Sequence, residues 1–127
     1  IGAIEKLPIE NADLIEKDEV LAMGIISHKK EQYNLLWQRW HKERINKKIA
    51  CKAIFSDKDT NYFKIFKKMR FTEVKVLIGI TPSAIDIIGK RVLIFVYDEE
   101  PSCLSIKNKE IAQSFTSFFE TLWKIAK

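Results

Sequence analysis

The apolar residues of this chain fall into short strand-length runs and longer helix-period stretches, in an order that few folds accommodate. Residues 19–27 (EVLAMGIIS) predict a first buried strand. From residue 30 to about 49, Tyr33, Leu36, Trp37, Trp40 and Ile45 keep to one face at near-helical spacing. Residues 51–55 predict a second strand. Asp57, Asp59 and Thr60 then offer an N-cap to a short helix carrying Tyr62, Phe63, Phe66 and Met69. Residues 73–78 predict a third strand, and 83–88 with 91–97, split by Gly89-Lys90, predict a hairpin. After the turn at Asp98-Glu99-Glu100-Pro101 comes a last strand at 102–106. Asn108 caps a closing helix whose Ile111, Phe115, Phe118, Phe119, Leu122 and Trp123 form a broad apolar stripe. The order βαβαββββα has no internal repeat and no low-complexity segment. It implies an α/β fold, a single mixed β-sheet flanked by helices on both faces.

A chain of 127 residues, 46% hydrophobic with four Gly and three Pro, is one domain long enough for a real core. No apolar run approaches the roughly 20 residues that span a bilayer, so no membrane partner is expected. The sequence opens on Ile1 rather than Met, so residues 1–18 are expected to be a linker from a missing N-terminal domain, with the folded domain at 19–127. Cys51 and Cys103 lie in apolar runs without metal-ligand spacing. They read as buried free thiols in a reducing, cytoplasmic setting.

The net charge of +5 is unevenly spread. Residues 29–70 hold thirteen Lys or Arg against four acids, whereas residues 1–28 hold two Lys against six acids. A basic half of this kind can mark a nucleic-acid face. Most of these cations, however, are expected on the polar sides of two helices, where solvation explains them equally well.

Residues 82–90, Pro-Ser-Ala-Ile-Asp-Ile-Ile-Gly-Lys, carry the most telling spacing. With the runs on both sides, the segment resembles the phospholipase D-like strand that bears His-x-Lys-x(4)-Asp in active enzymes. On that spacing Ser83 takes the histidine slot, Ile85 the lysine slot and Lys90 the aspartate slot. Such phosphodiester transfer needs an imidazole and a cation for the phosphate oxygens, and these residues provide neither. The ending VLIFVYDEEPSCLSIKNKEIAQSFTSFFETLWKIAK is similar to the C-terminal region of archaeal TrmB-family transcriptional regulators, and EQYNLLWQRWHKERI to that family's first domain helix. The resemblance spans roughly residues 19–127. It implies one half of a phospholipase D-like fold serving as an effector-sensing or dimerising module. DNA would then be bound through a missing N-terminal winged helix. Sugar-sensing members carry a further β-rich domain beyond this region, so the resemblance does not by itself imply a sugar ligand.

Other residues admit duller readings. His28 and Lys30 spell His-x-Lys, but Leu35 stands where Asp is needed. His41 beside Trp40 reads as a helix-surface residue, and two histidines without a Cys partner make a zinc site improbable. Trp37, Trp40, His41 and Trp123 are the candidates for ligand or interface contact, although aromatics at helical spacing are more often core. Asp98, Glu99 and Glu100 read as a solvated turn, and Gly79 and Gly89 as turn residues without a phosphate loop. The expectation is a non-catalytic homodimeric regulatory module, without cofactor, open to a small-molecule effector. The alternatives are a phosphodiesterase with an unconventional site and a basic nucleic-acid-binding module.

Overall fold

In the computed structural model, residues 19–25, 31–57, 60–79, 84–96 and 102–127 are described. The strands are β1 (Val20–Ile25), β2 (Cys51–Phe55), β3 (Thr72–Val76), β4 (Ala84–Ile88), β5 (Arg91–Val96) and β6 (Ser102–Lys107). The helices are α1 (Glu31–Asn46) after β1, α2 (Asn61–Lys67) after β2 and α3 (Lys109–Ile125) after β6. All six strands form one sheet in the order β3-β2-β1-β4-β5-β6. β1, β2 and β3 run parallel, and β4, β5 and β6 form an antiparallel meander that joins them through β1 and β4. The expected α/β class and element order are those of the structure.

Burial on both faces explains why the central strands read as continuous apolar runs. Successive residues of β1 divide between two clusters. Val20 and Ala22 join Trp37, Trp40, Phe55 and Phe66 under α1 and α2, while Leu21 and Met23 join Ile54, Ile87, Val92 and Phe119 under α3. Local signals close each element. Thr60 accepts from the Phe63 amide at the start of α2, and Asn108 accepts from the Ile111 amide at the start of α3. Gly89, with φ of 58°, supplies the left-handed turn between β4 and β5.

Two other turns take left-handed backbone without glycine, at Lys48 (φ 59°) and Phe71 (φ 57°). Such a conformation costs a non-glycine residue roughly 1–2 kcal/mol. Both turns converge on the fully buried Arg44. Its Nη1 donates to the Ile49 carbonyl (2.6 Å) and the Phe71 carbonyl (3.2 Å), and its Nη2 to Thr72 Oγ1 (2.5 Å). Its Nε donates to His41 Nδ1 (3.0 Å). One guanidinium thus fixes the exit from α1 and the entry to β3.

Several expectations need correction. His41 is buried rather than on the helix surface, because it shares the inward face of α1 with Trp37 and Arg44 at helical spacing. Arg44 likewise departs from the solvated basic face. α1 ends at Asn46 rather than near residue 49, since the left-handed Lys48 breaks the helix. β1 spans Val20–Ile25 with a register shift at Gly24 (φ 72°), and the expected strand residues Ile26 and Ser27 lie outside the described residues. The stripe on α3 is narrower than expected: Phe119 is buried and Phe115, Leu122 and Trp123 are half-buried, but Ile111 and Phe118 are exposed. Cys103 is half-buried, whereas Cys51 is fully buried. The expected linker at 1–18 lies outside the described residues, as do His28, Lys30 and the acidic turn at 98–100.

Replacing Arg44 with Met keeps the aliphatic stem but removes the donors to both turns. Hydrogen bonds from a charged donor contribute about 1.5–3 kcal/mol each. Arg44→Met is therefore expected to lower the unfolding free energy by roughly 3 kcal/mol or more, measured by urea denaturation. A midpoint equal to that of the parent protein would show that the two turns hold without the guanidinium.

Candidate functional site

The residues singled out by sequence do not form one site. Trp37 and Trp40 pack edge-on with ring centroids 5.6 Å apart, and Trp37 meets Phe95 at 5.1 Å. Both are 5% exposed or less, so they are core rather than ligand platforms. His41 lies between Trp40 and Phe66, with centroids at 4.8 and 4.6 Å. Its Nδ1 accepts from Arg44, which places the proton of the neutral ring on Nε2. Burial, followed by the Arg44 charge, holds its pKa well below the usual value.

Ile85 points to the α3 side and packs against the Leu21–Phe119 cluster, while Lys90 is exposed in the β4–β5 turn. Ser83 lies outside the described residues. The lysine slot is thus occupied by apolar packing.

Trp123 is the candidate that borders open space. A cleft of about 430 Å³ runs between α3 and the strand ends. Its floor is Leu21 on β1 and Ile87 on β4, which stand side by side in register, and Lys52 stands beside Leu21 on β2 at the rim. Its wall is α3, where Thr116, Glu120 and Trp123 recur at four and three residues and so face the same way. Phe119 stacks on Trp123 at 5.7 Å and 21°. Lys75 Nζ lies 4.5 Å from the Trp123 ring centroid and donates to the Trp123 carbonyl at 2.9 Å. Lys52 Nζ lies 5.7 Å from the same ring and 4.0 Å from Glu19 Oε1. Two ammonium groups on one indole are a favourable cation–π arrangement. The Lys52–Glu19 pair is solvent-screened and contributes little.

This chemistry suits binding. The cleft has an apolar floor, an aromatic wall and a rim of mixed charge, the usual make-up of a small-molecule pocket. Its hydroxyl, Thr116 Oγ1, donates to the Ala112 carbonyl at 2.8 Å, and no imidazole is among the described residues that line the cleft. Burial pushes the Cys51 thiol up to about 12 and the Cys103 thiol up to about 11, so both are protonated and poorly nucleophilic at neutral pH. Among the described residues, no group of three His, Cys, Asp or Glu could hold a metal ion, and no helix is long and apolar enough to cross a membrane.

One ionisable group was not foreseen. Asp86 sits opposite Ala22 and Leu93 on the α1 side of the sheet, inside what reads as an apolar run. It is 7% exposed, and burial raises its carboxyl to about 7. The folded state therefore keeps a proton that the unfolded chain releases near its ordinary value of 3.8. Asp86 makes stability fall as pH rises from about 4 to about 7, on the order of 4 kcal/mol in all. His41 acts oppositely: its lowered pKa costs stability as pH drops below about 6.5. The two slopes overlap, so the comparison of variants isolates the carboxyl. Asp86→Asn is expected to gain stability relative to the parent protein across this window, read by urea denaturation at several pH values. A difference that does not vary with pH would show that the carboxylate is hydrated.

No protein-family model matches the chain, and no curated protein sequence is significantly similar to it.

Proposed function

We propose that residues 19–127 form the non-catalytic effector-sensing and dimerisation domain of a TrmB-like DNA-binding regulator, built on one half of a phospholipase D-like fold. The observation that carries this reading is Ile85. It stands in the lysine slot of the resembled enzymes and packs among apolar side chains, where a phosphate-binding cation cannot be held. The sequence places Ser83 and Lys90 in the other two slots, and neither offers an imidazole or a carboxylate. The cleft beside Trp123 is the natural place for an effector. A small molecule with an anionic group near Lys52 and an apolar body over Leu21 and Ile87 would meet complementary chemistry there. Binding would act on α3, which spans from the β4–β5 turn to β3: the Asn108 amide donates to the Lys90 carbonyl at 3.0 Å and the Lys127 amide to the Val76 carbonyl at 2.9 Å.

The purified chain is expected to show no hydrolysis of bis(p-nitrophenyl) phosphate above buffer. Turnover that disappears in Ser83→Ala would make the protein an enzyme and overturn this reading.

A further inference from the structure

The two faces of the sheet are covered unequally. α1 and α2 share one face, whereas α3 is the helix described on the other. Six strands at about 4.8 Å spacing extend about 24 Å, and a helix with its side chains is about 10 Å wide. Among the described elements, α3 therefore covers only part of its face. Leu104 on β6 pairs with Ile94, whose side chain joins the α3-side cluster, so Leu104 points to the same side. It is 57% exposed.

The flank of α3 is itself apolar. Ile111, Phe118 and Ile125 are 38%, 48% and 61% exposed and recur every seven residues. Seven residues make nearly two turns, so the three form one ridge with a drift of only about 20° per step. At 1.5 Å per residue the ridge is about 21 Å long. The residues beside it suit close approach. Ser114 Oγ donates to the Glu110 carbonyl (3.0 Å) and Thr121 Oγ1 to the Ser117 carbonyl (3.1 Å). Both hydroxyl protons are already satisfied within the helix, so covering them leaves no orphaned donor.

Charge selects the occupant. Glu110 lies in the first turn of α3 and Lys124 in the last, each one residue before an end of the ridge and hence on the same flank. An antiparallel copy of α3 would set Ile111 against the partner's Ile125 and Phe118 against the partner's Phe118 on a two-fold axis. Glu110 would then face the partner's Lys124 at both ends. A parallel copy would hold Glu110 and the partner's Lys124 about 21 Å apart along the ridge, so the two charges could not pair. Two-fold pairing of one patch with itself needs this kind of self-complementarity.

We propose that the Ile111–Phe118–Ile125 ridge docks antiparallel on the same ridge of a second copy of this chain, making α3 the dimer interface. This deepens the dimeric regulator proposed above and rests on it for the number of copies. Sedimentation equilibrium of the full chain at tens of micromolar is expected to show a dimer. Phe118→Glu should raise its dissociation constant at least about 30-fold, the scale of a central interface residue, without loss of helical circular dichroism. If that variant does not fold, Ile125→Glu at the exposed end of the ridge gives the same reading. Glu110→Lys and Lys124→Glu should each weaken the dimer, and the double exchange should restore it. A parent protein that is monomeric overturns both this interface and the dimeric regulator. A dimer indifferent to glutamate at position 118 overturns the interface alone, and a double exchange no tighter than the single ones overturns the antiparallel arrangement.

Discussion

A single buried guanidinium holds the helical layer of this domain to its sheet. Arg44 reaches from the last turn of α1 to the carbonyls of Ile49 and Phe71 and to the Thr72 hydroxyl, so it binds the segments that lead into β2 and β3. The Phe71 carbonyl also accepts from the Cys51 amide at 2.8 Å, and the two strands continue in register from there. Burial lowers the pKa of Arg44, but a guanidinium remains charged at any ordinary pH. Its planar fork can satisfy several acceptors at once, which a lysine ammonium could not do in the same geometry. His41 completes the arrangement because, neutral, it accepts the proton of Nε.

The same sheet separates two kinds of polar chemistry. On the α1 side, His41, Arg44, Cys51 and Asp86 are enclosed and serve or strain the packing. On the α3 side, Lys52, Lys75 and Glu19 stand around Trp123 at the edge of an open cleft. Enclosed groups are costly to disturb and report on stability. Groups at a cleft can exchange water for a ligand with little rearrangement. This division makes the cleft beside Trp123, rather than the tryptophans of α1, the part of the surface suited to exchange with solvent.

Much of the fold was legible because its signals are local. The β2 run, the Thr60 and Asn108 caps and the Gly89 turn each need only a few neighbouring residues to be recognised. The site was less legible. Counting apolar positions assigns His41 and Arg44 to the surface, because Phe66, which packs on His41, and Phe71 and Thr72, which accept from Arg44, are far away in sequence. Asp86 hid inside an apolar run for the same reason. Trp123 was selected as an aromatic, but its pairing with Lys52 and Lys75 depends on how α3 crosses the sheet, which no local pattern encodes. The buried stripe of α3 is narrower than its sequence pattern because a helix on a sheet buries only the residues nearest its contact line, leaving Ile111 and Phe118 outside.

The junction of β1 with β4 has a kinetic meaning. β1, β2 and β3 pair with strands one helix away, and β4, β5 and β6 pair with strands that follow closely in sequence. Among the described strand pairs, only Val20 with Ile88, and the pairs that follow it, join positions separated by most of the domain. The entropy of closing that large loop is lost before its contacts can compensate. The two halves can thus gain structure independently while the seam waits for both, and φ-values along β1 and β4 would register that order. Folding of this sheet is then less a collapse than a docking of a parallel half onto a meander.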